Sequence, residues 1–284
     1  MNHSSSWRLA ALVTAIASSS LAAQQTTRVA DSLPTAAQLR VFLLVGQSNM
    51  AGRGTVQAED TTAVPHVWML TQAGEWKPAI EPLHFDKPKV AGVGPGRSFG
   101  VAVASALAGA QIGLVAAAVG GTSIRAWEPG AADSATNTHP YDDAIARARV
   151  ALRHGSLAGI LWLQGETDGN AKNSGDYERR LRDVIANMRR DLRAPEVLFL
   201  IGQMGRFSEK PWNTHRERVD SAHRVVAATT SGAAFILTEG LTHRGDTTHY
   251  DAASAREIGR RYAKQYLAMM AKPQAPLPPV PGPM

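Results

Sequence analysis

Five short runs of apolar residues recur along the chain, and each is hydrophobic at nearly every position rather than at alternate ones. The runs are Val41–Val45, Ile112–Val119, Ile160–Leu163, Val197–Ile201 and Ala233–Leu237. Continuous runs of this length are typical of parallel strands that are buried on both faces. We therefore predict a central parallel sheet of about five strands.

Segments between these runs carry apolar residues at helical spacing. One segment places the following residues on a single helix face: Tyr177, Leu181, Val184, Ile185, Met188 and Leu192. Further helices are expected to begin near Ser98 and near Asp251. Strands that alternate with helices predict a three-layer α/β/α domain in which helices cover both faces of the sheet.

The connection between residues 52 and 96 is too long for an ordinary loop between a strand and a helix. Within it, Trp68 and Trp76 flank the turn-like sequence Gln72-Ala73-Gly74. This pattern predicts a β-hairpin excursion from the main chain path.

The N-terminal residues have the order of features that is typical of a cleavable secretory signal peptide. Arg8 precedes an apolar run from Leu9 to Ala17, and small residues follow it. The run falls short of the roughly 20 residues that a membrane-spanning helix needs, so no membrane anchor is predicted. We interpret residues 1–23 as a signal peptide and expect a periplasmic or secreted protein.

The remaining boundaries follow from composition. Residues 24–39 are expected to form a linker, and residues 40–270 the folded domain. Beyond Met270 the chain is rich in proline, which neither continues a helix nor supplies much apolar surface to bury. We therefore predict a disordered tail over residues 271–284.

Composition excludes several classes of function. The chain contains no cysteine, which rules out disulfides, zinc–thiolate sites and a cysteine nucleophile. The formal charge is +6, but between residues 179 and 191 arginines are interspersed with acids, as on a solvated helix face. No nucleic-acid partner is expected from this pattern. No two histidines have the spacing of a zinc-binding helix, so neither a catalytic metal nor another cofactor is predicted.

Polar motifs follow four of the five predicted strands. They are Gly46-Gln47-Ser48, Gly120-Gly121-Thr122, Gln164-Gly165-Glu166, and the pair Asp246 and His249. Ligands of open parallel sheets gather at the carboxyl ends of the strands. We therefore expect the four motifs to converge at one edge of the sheet.

Ser48, His249 and Asp246 have the residue types of a catalytic triad. A free serine hydroxyl is a poor nucleophile at neutral pH and needs a base, which His249 would supply. Asp246 would accept the other ring N–H and stabilise the imidazolium. Ser48 alone would more simply be a turn residue or a helix N-cap, but the company of His249 and Asp246 favours a nucleophile.

An ester-cleaving serine also needs donors for the oxyanion that develops during attack. The candidates are the backbone N–H groups of Ser48 and Gly120 and the side-chain amide of Gln164. Supporting roles in the same motifs are expected for Gln47, Asn49, Gly121 and Glu166. Trp76 and Trp127 are candidate platforms for a sugar ring, although a core position explains either tryptophan equally well.

These motifs, in this order, resemble the SGNH-hydrolase superfamily, and more closely its sialate O-acetylesterase-like and acetylxylan esterase branch, carbohydrate esterase family 6. The resemblance extends from about Arg40 to Met270. It implies a flavodoxin-like sheet, a triad carried by Ser48, His249 and Asp246, and an acetylated oligo- or polysaccharide as substrate. Gln164 stands where most of the superfamily has an asparagine.

Three other functions remain to be compared with a carbohydrate acetylesterase. An α/β-hydrolase is disfavoured because Gly46-Gln47-Ser48-Asn49-Met50 lacks the second glycine of the nucleophile elbow. A non-catalytic carbohydrate-binding protein would not need a base with its orienting acid. An esterase or thioesterase for lipid-like acyl groups would use the same chemistry and stays open. The sequence does not indicate an oligomeric state.

Overall fold

A seven-stranded sheet forms the middle of the structure, a computed structural model that describes residues 39–271. The strands are β1 (Leu39–Gly46), β2 (Val67–Leu70), β3 (Trp76–Pro78), β4 (Gln111–Ala116), β5 (Ser156–Leu163), β6 (Leu198–Gly202) and β7 (Ala233–Ile236). The helices are α1 (Ser48–Ala51), α2 (Pro95–Ala106), α3 (Pro140–Ala151), α4 (Tyr177–Asp191), α5 (Thr214–Thr229) and α6 (Ala252–Met270). The predicted signal peptide, the linker up to residue 38 and the tail from residue 272 lie outside the described residues.

All five predicted strands are present in the sheet, as β1, β4, β5, β6 and β7. The spatial order is β3-β2-β4-β1-β5-β6-β7, and only β2 and β3 pair antiparallel. With the hairpin strands set aside, the five strands lie in the order second, first, third, fourth, fifth. This is the flavodoxin-like order, and its topological switch point lies between β1 and β5. The predicted α/β fold class is therefore confirmed.

The sheet has seven strands rather than about five, because the predicted hairpin joins it. β2 pairs in parallel with β4, and β3 forms an antiparallel edge. Strands of four and three residues give too short an apolar signal to be assigned to a sheet from sequence. The Trp76 ring of β3 can pack against β4 because residue 113 is a glycine. A Cβ at Gly113 would lie 2.7 Å from the ring.

Alternate residues of β1 belong to two separate cores, one on each face of the sheet. Val41, Leu43 and Val45 pack in the core that includes α3, α4 and α5. Phe42 and Leu44 pack in the other core, with α2 and α6. Helices on both faces make the three predicted layers, and they explain why these strands are hydrophobic at every position.

The predicted helices are confirmed, with one shifted start. The apolar face of α4 is buried from Tyr177 to Met188. Helix α6 begins directly after Asp251, whose carboxylate accepts the Ser254 N–H at 2.7 Å as an N-cap. Helix α2 begins at Pro95 rather than near Ser98, because proline fits the first helical position, where no N–H is needed. None of the helices between residues 39 and 271 has the length and hydropathy needed to cross a bilayer.

Candidate active site

Ser48 lies at the carboxyl end of β1, next to the switch point between β1 and β5. Gly46 ends the strand with a φ of 127°, and a Cβ at this position would collide with the Leu163 carbonyl of β5. The Gln47 N–H donates to that carbonyl at 2.9 Å. This close approach turns the chain sharply and places Ser48 as the first residue of the one-turn helix α1.

Ser48, His249 and Asp246 form a continuous hydrogen-bonded chain, although Ser48 and His249 are 201 residues apart. The Ser48 Oγ lies 3.0 Å from His249 Nε2. His249 Nδ1 lies 2.7 Å from Asp246 Oδ2. Each distance is within the range of a direct hydrogen bond, so a proton can pass from the serine to the imidazole while the aspartate holds the ring.

Hydrogen bonds stabilise the ionised form of the Asp246 carboxylate. Partial burial alone would raise its pKa, but hydrogen bonds from the backbone and ring of His249 and from the Thr248 N–H lower the pKa to about 2. The two N–H groups donate to Oδ1 at 2.8 and 3.0 Å. An ionised Asp246 fixes the tautomer that leaves His249 Nε2 free to accept the serine proton.

Asn49 binds the loop that carries His249, which we call the histidine loop, and holds it at the end of β1. Its amide nitrogen donates to the Thr248 carbonyl at 3.1 Å, and its amide oxygen accepts the Tyr250 N–H at 3.1 Å. The same nitrogen donates to Glu166 Oε1 at 2.6 Å. Both neighbours of His249 in sequence are thus held by the residue that follows Ser48.

Glu166 is partly buried and its carboxyl lies against the side chain of Asn49. Burial raises the pKa of its carboxyl, an effect that the hydrogen bond from Asn49 only partly opposes. Its other oxygen, Oε2, has no hydrogen-bond partner among the described residues. Because the carboxyl contacts Asn49 and not His249 or Asp246, it is placed to support the loop through Asn49.

Gln164 is fully buried and contacts Gln47, in a polar network that we call the floor of the site. Its amide nitrogen donates to Gln47 Oε1 at 3.2 Å, to the Thr122 carbonyl at 3.1 Å and to Asp168 Oδ2 at 2.5 Å. Its oxygen accepts the Tyr177 hydroxyl at 2.7 Å. Both hydrogens of the amide therefore have acceptors in the described structure.

Two further predicted residues also belong to the floor. Gln47 Oε1 accepts the backbone N–H groups of Gly165 and Thr167, each at 3.4 Å, in addition to the Gln164 amide. The Gly121 carbonyl accepts the Thr167 hydroxyl at 3.1 Å. These contacts join the loops that follow β1, β4 and β5 into one polar network.

Gly120 lies beside Ser48, but its N–H is occupied. A Cβ built at Gly120 would lie 3.4 Å from the Ser48 Cβ, while the Gly120 N–H donates to Asp86 Oδ2 at 2.8 Å. Arg53 Nη2 donates to the same oxygen at 2.7 Å, and both side chains of this ion pair are almost fully buried. In the described structure the Gly120 N–H is therefore paired with a carboxylate. Of the three predicted donors, only the Ser48 N–H has no acceptor among the described residues.

Sequence reasoning missed Arg53, Asp86 and His243. His243 Nδ1 accepts the N–H groups of Gly245 and Thr247 at 2.9 and 3.2 Å, which shapes the loop that carries Asp246. Arg53 follows the serine motif closely enough to have been considered. Asp86 lies in a long connection with no distinguishing pattern, and nothing in the sequence pairs it with Gly120.

The two tryptophans considered as sugar platforms are core residues. Trp127 is fully buried, donates to the Thr122 hydroxyl at 3.2 Å and packs edge-to-face against Trp162. Trp76 is the first residue of β3, and its buried ring packs against Gly113 of β4. Neither ring offers a face for stacking on a ligand.

The sheet order and the serine at the end of its central strand define the class of protein: an SGNH-type hydrolase with a three-layer α/β/α fold, which is a carboxylic ester hydrolase. The chain belongs to the carbohydrate esterase family of sialic acid-specific acetylesterases, whose family model matches residues 38–268. This confirms the resemblance that the motifs indicated.

Individual relatives agree with this assignment. A probable carbohydrate esterase of Arabidopsis thaliana is 31% identical over 252 residues, a match that covers 81% of this chain and 90% of the relative. An X-ray structure of an Arabidopsis thaliana protein is 28% identical, covers 82% of this chain and 98% of its own, and superposes with a TM-score of 0.72. The crystal structure of NanS shares the fold at 16% identity, with 84% and 99% coverage and a TM-score of 0.67.

Proposed function

We propose that the protein is a serine esterase that removes O-acetyl groups from carbohydrate, with Ser48 as nucleophile, His249 as base and Asp246 as the acid that orients the histidine. The observation that carries the proposal is the hydrogen-bonded chain from Ser48 Oγ through His249 to Asp246. The family supports ester hydrolysis on carbohydrate. Three points go beyond the family and are proposed here: acetyl as the acyl group removed, the roles of the three triad residues, and the identity of the saccharide.

The reaction proceeds in two halves through an acetyl-enzyme. Ser48 Oγ attacks the acetyl carbonyl while His249 Nε2 takes the hydroxyl proton. The tetrahedral intermediate collapses, the C–O bond to the sugar breaks, and His249 returns the proton to the departing sugar oxygen. Water then attacks the acetyl-enzyme with His249 as base, and acetate leaves as Ser48 recovers its proton.

The Ser48 N–H carries the oxyanion part of the proposal, because it has no competing acceptor among the described residues. Gly120 and Gln164 support the site through their contacts with Asp86 and with the floor. Arg53 neutralises Asp86, so the oxyanion does not form beside an unbalanced carboxylate.

The test is acetate release from acetylated xylan and from O-acetylated sialic acid by wild type and Ser48→Ala, with 4-nitrophenyl acetate and butyrate as small esters. We expect wild type to cleave acetyl esters of sugar and Ser48→Ala to lose on the order of 10⁴-fold or more in kcat/KM. Near-wild-type rates in Ser48→Ala would refute the triad assignment.

The small esters separate the remaining alternatives. A strong preference for butyrate over acetate would redirect the function to lipid-like acyl groups. Absence of turnover on every ester, together with binding of xylan or sialic acid, would favour the non-catalytic carbohydrate-binding protein.

We further propose that residues 1–23 are removed on export and that residues 40–270 form the esterase domain. The support is the order of charged, apolar and small residues at the N-terminus. N-terminal sequencing of the protein recovered from periplasm or culture fluid tests this, and a mature chain that begins at Met1 would contradict it.

A further inference from the structure

A cavity of about 400 Å³ opens at the same edge of the sheet as Ser48, on the β2 and β4 side. Its walls come from the loop after β2, the end of β4, the start of α3, and the segment His84 to Asp86. The volume falls within the range of about 300–1,000 Å³ that is typical of small-molecule pockets.

Asp86 connects this cavity to the nucleophile. Its Oδ2 holds the Gly120 N–H at 2.8 Å, and a Cβ at Gly120 would lie 3.4 Å from the Ser48 Cβ. Asp86 therefore belongs both to the cavity wall and to the contacts that hold the backbone beside Ser48.

Two polar atoms on the cavity-lining residues lack partners. His84 Nε2 and Asp86 Oδ1 are buried and have no hydrogen-bond partner among the described residues. His84 is 4% exposed, and the Asp86 side chain is 2% exposed. Buried polar atoms normally have partners, so two unpartnered atoms on residues that line one cavity point to a ligand that supplies those partners when it enters.

Both atoms are hydrogen-bond acceptors. Burial lowers the pKa of His84 to about 4, so the ring is neutral at pH 7 and carries one proton. A neutral imidazole has one donor and one acceptor nitrogen, and the tautomer with its proton on Nδ1 presents the unpartnered Nε2 as the acceptor. Burial opposes ionisation of Asp86, but Arg53 lowers its pKa, so Oδ1 is a carboxylate oxygen.

Two acceptors select hydroxyl donors and disfavour an acyl chain. An alkyl group in this cavity would leave His84 Nε2 and Asp86 Oδ1 desolvated without compensation. Gln72, Thr138 and Asp143 add further polar groups to a lining that also contains Phe85 and small apolar residues at the end of β4. The guanidinium of Arg147 is already used by the carbonyls of Leu70, Thr71 and Ala116.

We propose that this cavity is the sugar subsite of the esterase, in which hydroxyl groups of the saccharide donate to His84 Nε2 and Asp86 Oδ1. The proposal rests on the proposed carbohydrate esterase function. It assigns to His84, Asp86 and the cavity between β4 and α3 the discrimination between a sugar acetate and a small acetyl ester.

The first test reduces the cavity volume with a larger side chain at its exposed edge. Ala146 is an exposed residue of α3 that lines the cavity, so Ala146→Phe changes the available volume without disturbing a core position. The matched control is Ala186→Phe, at an exposed position of α4 that does not line it. The measured quantity is kcat/KM for acetylated xylo-oligosaccharides and O-acetylated sialic acid, divided by kcat/KM for 4-nitrophenyl acetate.

The second test removes one acceptor. His84→Leu lacks the acceptor, whereas His84→Gln retains an amide oxygen and is expected to recover part of the loss. Thermal unfolding of each variant shows whether it is folded before its kinetics are compared. We expect the ratio to fall by about tenfold or more in Ala146→Phe and His84→Leu, mainly through KM for the sugar ester.

An unchanged ratio in both Ala146→Phe and His84→Leu, in an enzyme that cleaves sugar acetates, would overturn the subsite and leave the esterase proposal intact. A fall of the same size in Ala186→Phe would also overturn it, because the effect would not depend on the cavity. A wild-type enzyme that cleaves 4-nitrophenyl acetate but no sugar acetate would refute the proposed function itself, and the subsite with it.

Discussion

The two sides of the proposed catalytic centre differ in burial and in the number of contacts that hold them. On the serine side, Ser48 is 6% exposed and the floor residue Gln164 is 0% exposed. On the histidine side, the side chains of His249 and Asp246 are 27% and 41% exposed. A buried polar network fixes the nucleophile, whereas a surface loop presents the base.

This difference separates the consequences of substitution. Changes in the buried network leave polar groups without partners, so they should cost stability first. Changes at the exposed acid and base should cost rate first, because water can replace the lost contacts in the folded protein. Asn49 connects the two sides and should affect both.

The largest effect is expected for Asp246→Asn on the exposed side. The asparagine can no longer hold His249 in the required tautomer, so kcat should fall by about 10²- to 10⁴-fold. The melting temperature at pH 7 should fall only modestly, because solvent screens the contacts of this partly exposed side chain. Steady-state kinetics and thermal unfolding measure both quantities, with Asp183→Asn on α4 as an exposed control.

The pH dependence of stability gives a second check on Asp246. Its pKa is about 2 in the folded protein, below the ordinary aspartate value near 4. The stabilising contribution is therefore present above about pH 4 and lost as the pH falls towards 2. Asp246→Asn should lack this change. A variant that unfolds easily at pH 7 would contradict the contrast between the two sides.

Arg53→Met should have the next largest effect, this time on stability. It leaves the Asp86 carboxylate buried without its partner, which should lower the free energy of unfolding by about 3–5 kcal/mol. Urea unfolding measures the loss. The double variant Arg53→Met/Asp86→Asn removes the unpaired charge and should recover part of it; a double variant as unstable as the single one would contradict the ion-pair explanation.

Asn49→Ala should weaken both sides together. The substitution removes the donor to Thr248 and Glu166 and the acceptor for Tyr250, so we expect a loss of about 2 kcal/mol in stability and roughly tenfold in kcat. Asn187→Ala on α4 is the control, since its side-chain bond to Arg190 is exposed. A loss of stability without any loss of rate would show that the histidine loop does not depend on Asn49.

The smallest effect is expected for Glu166→Gln. It should appear as a change in how the free energy of unfolding depends on pH. Burial raises the pKa of Glu166, so the folded protein binds its proton more tightly than the unfolded chain. Wild type therefore loses stability as pH rises above the ordinary glutamate range, and the neutral variant does not.

Urea unfolding at pH 5 and pH 8 compares the two proteins. The free energy of unfolding of Glu166→Gln relative to wild type should be higher at pH 8 than at pH 5. The exposed control Glu178→Gln should show no such change. Parallel pH dependence of wild type and Glu166→Gln would mean that Glu166 does not titrate differently on folding.

The sequence by itself determined the fold class, because two cores on opposite faces require strands that are hydrophobic at every position. It also placed Ser48, Asp246 and His249 together, since the carboxyl ends of parallel strands meet at one edge and the polar motifs follow those ends. Both conclusions depend on patterns within short segments, which a single sequence displays.

Only the tertiary structure decided which hydrogen bonds the polar groups form. Gly120 and Gln164 have the right chemistry for oxyanion donors, but Asp86 and Asp168 accept their hydrogens. Asp86 reaches Gly120 across 34 residues of sequence through an irregular connection. A donor's availability depends on every acceptor near it in space, and local sequence patterns carry no information about such partners.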